Sequence, residues 1–241
     1  ASNNTAVGHN ALVANTTGTA NVAVGKNALD VNTTGSTNTA TGADSLGGNT
    51  TGGSNTAFGQ AALEANTTAS FNTGIGRNAL GANTTGGNNS ALGYNALLSN
   101  TTGANNTGIG MVSLDANTTG AENTALGYAA LSANTTASNN TAIGRGALQV
   151  NTTGTANVAL GSYALKSNTS ANNNIAIGFN SLGGNTTGVH NIAQGHEALQ
   201  NSSTGESNTA LGFQAGYYAI PNTTGSQNIF LGAYSHGQSA T

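Results

Sequence analysis

Asn123-Thr124-Ala125-Leu126-Gly127-Tyr128-Ala129-Ala130-Leu131-Ser132-Ala133-Asn134-Thr135-Thr136-Ala137-Ser138-Asn139 is one unit of a repeat, and Asn140 begins the next. Asparagine opens a unit at Asn4, Asn21, Asn38, Asn55, Asn72, Asn89, Asn106, Asn123, Asn140, Asn157, Asn174, Asn191 and Asn208, twelve steps of 17 residues without a slip. A three-residue insertion then moves the next opening to Asn228. Self-similarity at a fixed short period is the signature of a solenoid, because one unit cannot bury its apolar side chains alone and must stack on its neighbours. The consensus is Asn-Thr-Ala-(apolar)-Gly-x-x-Ala-Leu-x-x-Asn-Thr-Thr-Gly-x-x, and its places are counted below from the opening asparagine.

Two rows of large side chains recur. The fourth place holds Val7, Val24, Thr41, Phe58, Ile75, Leu92, Ile109, Leu126, Ile143, Leu160, Ile177, Gln194, Leu211 and Leu231, and the ninth is leucine from Leu12 through Leu199. Stacked at about 4.8 Å per coil, both rows read as apolar ladders of a thin, continuous core. Small residues at the third and eighth places, such as Ala125 and Ala130, let opposite walls approach. Variation, including every charged residue, is confined to the sixth, seventh, tenth, eleventh, sixteenth and seventeenth places, which marks these as outward. A helix in each unit is disfavoured by the fixed glycines, each worth about 1 kcal/mol relative to alanine in a helix interior.

The fifth place is always glycine: Gly8, Gly25, Gly42, Gly59, Gly76, Gly93, Gly110, Gly127, Gly144, Gly161, Gly178, Gly195, Gly212 and Gly232. Such uniformity implies a corner that needs φ > 0 or close backbone approach between coils. A phosphate cradle would use one glycine loop opening a helix, not a row of identical corners. Asparagine recurs at the twelfth place as Asn15, Asn32, Asn49, Asn66, Asn83, Asn100, Asn117, Asn134, Asn151, Asn168 and Asn185, with Asn222 after the insertion. Stacked amides can bond along such a row as a ladder. Each of these residues also opens a formal N-glycosylation sequon, so the row reads as a structural ladder or as a set of modification sites. Coil spacing is too tight for branched sugars on every coil.

Composition bounds the function. Charged residues make up 5% of the 241, the net charge is −3, and Lys26, Arg77, Arg145 and Lys166 are scattered, so nothing favours nucleic acid or an anionic membrane. Disorder is the first rival of so polar a chain, but the low charge and fixed apolar phases favour ordered repeats. Without cysteine there is no disulfide or thiolate metal site, and no apolar run is long enough to span a membrane. His9, His190, His196 and His236 are isolated, the aspartates Asp30, Asp44 and Asp115 do not recur at matched coils, and no nucleophile–base–acid set converges. Neither a catalytic residue, a metal nor a cofactor is expected. Tyr94, Tyr128, Tyr163, Phe179 and Phe213, at the sixth and seventh places, read as scattered exposed rings or as a protomer-contact or glycan-stacking strip.

The strand motif Asn21-Val22-Ala23-Val24-Gly25, repeated as Asn174-Ile175-Ala176-Ile177-Gly178, resembles the head repeats of trimeric autotransporter adhesins. The fuller unit from Asn123 to Thr136 is similar to repeats of phage tail fibres and bacterial surface proteins. The resemblance implies a left-handed parallel β-roll, assembled as a trimer and exposed on a cell surface or virion. A second resemblance, to plant ice-binding β-rolls, directs attention to the threonine row Thr101, Thr118, Thr135 and Thr152.

The expectation is therefore an all-β parallel β-solenoid of about 14 coils, near 65 Å long. Residues 1–3 form an N-terminal edge, 4–207 twelve regular coils, 208–227 an irregular coil with the insertion, and 228–241 a last coil with a linker-like tail. Gly216 replaces the ninth-place leucine in the irregular coil, and Tyr217, Tyr218, Ile220 and Pro221 suggest a bulge or partial cap. The start, Ala1-Ser2-Asn3, has no signal-peptide character, so the chain reads as a mature product or a fragment. The expected role is non-catalytic, a fibre shaft or surface-adhesion segment of an extracellular filament. Its expected partners are copies of itself, as a homotrimer or a head-to-tail filament, and a cell-surface glycan. The alternative is an ice- or glycan-binding module.

Overall fold

In the computed structural model, residues 1–217 and 224–235 are described, and among them regular structure consists of three-residue β-strands. The chain divides into two compact units, Ala1–Glu122 and Asn123–Thr241. The first holds β1 (Thr5–Val7), β2 (Val22–Val24), β3 (Thr39–Thr41), β4 (Thr56–Phe58), β5 (Thr73–Ile75), β6 (Ser90–Leu92) and β7 (Thr107–Ile109), paired in chain order and parallel. The second holds β8 (Thr124–Leu126), β9 (Thr141–Ile143), β10 (Val158–Leu160), β11 (Ile175–Ile177), β12 (Ile192–Gln194), β13 (Thr209–Leu211) and β14 (Ile229–Leu231), paired the same way. Each partner lies one repeat along the chain, Thr5 against Val22 and Thr124 against Thr141. Past the insertion the step becomes Thr209 against Ile229. The protein is a parallel β-solenoid with one strand per coil.

The turns after each strand explain the conserved glycine. The fifth-place glycines have φ between 98° and 142°, as the invariance of that place implied. A turn follows, closed by the eighth-place N–H donating to the fifth-place carbonyl, as Ala28 does to Gly25. The seventh place within it has φ of 50–61°. Positive φ at the third residue is what a type II turn requires. The ninth-place leucines repeat the device two residues later, with φ of 48–55° from Leu12 to Leu199. A third left-handed corner sits at the seventeenth place, φ 55–63°. Asparagine tolerates this region better than other non-glycine residues, and it occupies several of these corners, including Asn10, Asn27, Asn78, Asn88, Asn105 and Asn139.

The core is narrower than two apolar ladders. Third-place alanines, such as Ala23 and Ala125, are fully buried, as are the leucines from Leu29 to Leu182. The fourth-place row is not in the core: Phe58 is 59% exposed and Leu126 41%. Alternation along a strand forces this, since adjacent side chains point to opposite faces and alanine holds the inward position. The space inside is matched to that alanine. A Cβ built on Gly74, which stands at the third place, would lie 3.4 Å from Leu63 Cγ of the preceding coil. Leucine therefore crosses the coil and rests on the alanine row.

The irregular end follows the same fit. Gly216 leaves a gap where leucine usually stands, and Phe230, replacing the third-place alanine one coil later, fills it. A Cβ on Gly216 would come within 2.9 Å of the Phe230 ring, which is buried. The expected bulge at Tyr218, Ile220 and Pro221 lies outside the described residues, as does the tail beyond Ser235.

Candidate functional site

The interior is a polar scaffold as much as an apolar one. In each regular coil the opening asparagine donates its Nδ2 across the coil to the fifteenth-place carbonyl, as Asn21 does to Gly35 at 2.9 Å. Its Oδ1 accepts the backbone N–H of the next opening asparagine, Asn38, at 2.9 Å. The twelfth-place asparagine donates to the same carbonyl three residues on and to its counterpart one coil back. Asn49 Nδ2 reaches Gly52 O at 3.0 Å and Asn32 Oδ1 at 2.8 Å. These asparagines are buried from Asn32 to Asn185. A buried amide is tolerable only when fully bonded, and each such bond is worth about 1 kcal/mol. The sequon row is thus an amide ladder, with its nitrogens spent on hydrogen bonds. Asn15, at the first coil, is half-buried, and Asn222 lies outside the described residues.

The ladder stops at a definite place. The coil after Asn185 carries Ser202 at the twelfth place, and Asn185 Oδ1 is buried with no hydrogen-bond partner among the described residues. Ser202→Asn should supply the missing amide to Asn185 Oδ1 and to Gly205 O, and raise stability by about 1–2 kcal/mol. In denaturant melts the gain should vanish in an Asn185→Ala background. A gain that survives there would mean that the ladder is not its source.

Three outward features remain. The strand faces carry the second- and fourth-place rows. In the first unit Val7, Val22, Phe58, Ile75 and Leu92 are exposed, and in the second Leu126, Val158, Leu160, Ile175 and Ile192. The reading of the fourth place as core hid this surface.

The second feature is aromatic and lies in the second unit. Phe179, His196 and Phe213 stand at the sixth place of successive coils, with ring centroids 5.2 Å and 5.1 Å apart and near-parallel planes. Tyr163 meets Phe179 edge-on at 6.3 Å, and Tyr234 meets Phe213 at 5.3 Å. Arg145 lies 5.8 Å from the Tyr128 ring and 5.7 Å from that of Tyr163. The sequence reading gathered Tyr128, Tyr163, Phe179 and Phe213 but missed His196 and Arg145, whose place in the repeat was the available signal. The rings between Phe179 and Phe213 cover one another's faces, so a sugar would find mainly edges there. Tyr94, in the first unit, stands outside this series with Arg77 and Met111 at the sixth place of the coils beside it.

The third feature is a depression of about 440 Å³ in the first unit, lined by Asp30, Asp44 and Glu64 around Gly47, Gly48 and Gly81. Asp44 accepts a hydrogen bond from Asn27 Nδ2 at 2.9 Å. Among the described residues no three His, Asp or Glu side chains are grouped to hold a metal. His190 faces Asn173 at 3.5 Å, while His196 lies 3.7 Å from Glu197. Burial raises the Asp115 carboxyl above its ordinary range, backbone hydrogen bonds opposing it.

The threonine row suggested for ice is committed to the fold. Thr101 Oγ1 donates to Thr118 O at 3.0 Å, and Thr152 Oγ1 to Thr169 O at 3.0 Å. Among the described residues no helix is long and apolar enough to cross a membrane. No family model, no curated protein and no solved structure matches this chain.

Proposed function

We propose that this chain is a non-catalytic structural rod or adhesion segment of an extracellular filament, of the phage tail-fibre or bacterial surface kind, that associates with copies of itself. The observation that carries this is the outward fourth-place row on the strand faces, where Phe58, Ile75, Leu92, Leu126 and Leu160 are exposed, joined at the second place by Val22, Val158, Ile175 and Ile192 among threonine- and serine-bearing coils. Contiguous exposed apolar surface of this kind marks a protein–protein contact. A repeating strand face presents the same pattern along its length, which suits a self-complementary lateral interface. The interior supports the same reading, since its hydrogen-bond capacity is spent on holding coils in register. A fibre is preferred to an ice- or glycan-binding module because the ice-suggesting threonine hydroxyls are bonded to backbone and the central ring faces are stacked on each other.

Sedimentation of the purified chain tests this. The wild type should run as an oligomer, and Leu126→Lys with Leu160→Lys should shift it toward monomer while the melt stays close to wild type. Gln194 already shows that the fourth place accepts a polar side chain. A stable 23.4 kDa wild-type monomer at high concentration would overturn self-association.

A further inference from the structure

We propose that the seventeenth-place asparagines Asn3, Asn88, Asn105 and Asn139 are the N-glycosylation acceptors of the folded chain. Each precedes an opening asparagine, so that Asn3-Asn4-Thr5, Asn88-Asn89-Ser90, Asn105-Asn106-Thr107 and Asn139-Asn140-Thr141 are sequons overlapping the repeat boundary. The side chains of all four are exposed, at a left-handed corner with φ of 59–63°. Among the described residues none of the four side-chain amides takes part in the hydrogen bonds that hold the coils, in contrast to the ladder amides.

The geometry separates them from the more numerous Asn-Thr-Thr sequons. There the acceptor nitrogen is the inward ladder amide, donating to two oxygens, as Asn66 does to Asn49 Oδ1 and Ala69 O. A sugar on that nitrogen would have to break the ladder and open the coil. At the seventeenth place the burial is reversed. The middle asparagine is the buried one in Asn89, Asn106 and Asn140, while the acceptor amide lies at the surface. The sequon hydroxyl sits at the second place, on the outward face of the strand, exposed at Thr5 and Ser90 and half-buried at Thr107 and Thr141. Asn201-Ser202-Ser203 is a further exposed sequon, but its Nδ2 already donates to Tyr217 O at 3.1 Å.

The ligand class is a phosphate-activated sugar delivered by a glycosyltransferase. The amide nitrogen attacks the anomeric carbon and a C–N bond forms. The anomeric C–O bond to phosphate breaks, the phosphate leaves with the electron pair, and the amide proton passes to the transferase's base. Asn88 and Asn105 stand on successive coils, about 4.8 Å apart, so only one of the two can carry a branched glycan in any one molecule. This assignment does not depend on the fibre reading.

The test is secretion of the full chain from glycosylating cells, followed by isolation of the folded, protease-resistant fraction. Peptide N-glycosidase in heavy-oxygen water then tags every asparagine that had carried sugar. Tags are expected at Asn3, Asn139 and one of Asn88 and Asn105 per molecule, with Asn32 through Asn185 of the ladder untagged. Ladder tags in the folded fraction, or a folded fraction with no tag, would overturn the proposal. A variant with all four residues changed to glycine keeps the left-handed corners open. It should lose the sugar mass and keep a melt near wild type, and full retention of the sugar would equally refute it.

Discussion

Leu131→Asp should cost the second unit at least about 4 kcal/mol, more than Leu131→Ala, which falls in the 2–5 kcal/mol range of buried leucine truncations. Leu131 is fully buried, and its N–H donates to Ala147 O at 3.0 Å. It belongs to the fully buried leucine row, in an interior otherwise made of buried alanines and asparagines. A carboxylate there finds amides already spent on one another, so its charge stays uncompensated. Because stability in a stacked repeat is carried by neighbour interfaces, the loss should also broaden or split the unfolding transition. Ser132→Asp, one residue on, is the control. Ser132 is half-buried and its Oγ donates to Gln149 O at 3.3 Å, a contact whose loss should stay within about 1 kcal/mol. Denaturant melts of the two variants decide it, and a more damaging Ser132→Asp would mean that the inward face has been assigned one residue out of phase.

That phase shows where the sequence was legible and where it was not. The 17-residue period, the glycine corner and the asparagine ladder were all visible because each needs one residue type at one place of the repeat. The fourth place misled because hydrophobicity alone does not say which side of a strand a residue faces. Two residues in that row carried the signal. Thr41 and Gln194 would have been poorly placed in a dry core, whereas the third place stays alanine or glycine until Phe230. Period-two alternation, applied strictly to Thr-Ala-Leu, gives alanine in and leucine out.

The left-handed leucines could not be read in advance. A branched side chain at φ near 50° runs against backbone preference by roughly 1–2 kcal/mol, yet the ninth-place leucines from Leu12 to Leu199 all adopt it with their side chains buried. The seventh and seventeenth corners were more legible, since asparagine recurs there. Val112 at the seventh place, with φ of 50°, and Thr37 at the seventeenth, with φ of 59°, are the β-branched exceptions among these corners in the described residues.

The corner glycine supplies the other large effect. Gly127→Ala should destabilise the chain by about 3 kcal/mol or more, and Gly232→Ala by about 1 kcal/mol. Both positions share the unfavourable backbone, with φ of 134° and 98°. They differ in what lies beyond. A Cβ on Gly127 would sit 2.7 Å from both the carbonyl carbon and the oxygen of Gly144, and 3.1 Å from Arg145 N. Those atoms are backbone of the next coil, held in register by Gly144 N donating to Leu126 O at 2.8 Å, so the clash cannot be relieved by a side-chain rotation. Among the described residues Gly232 has nothing within 4 Å of the same built atom. The difference between the two variants therefore isolates the contact between stacked coils from the local strain that both must bear. Paired denaturant melts measure it, and equal losses at the two sites would show that local φ alone, and not coil-to-coil approach, keeps glycine at the fifth place.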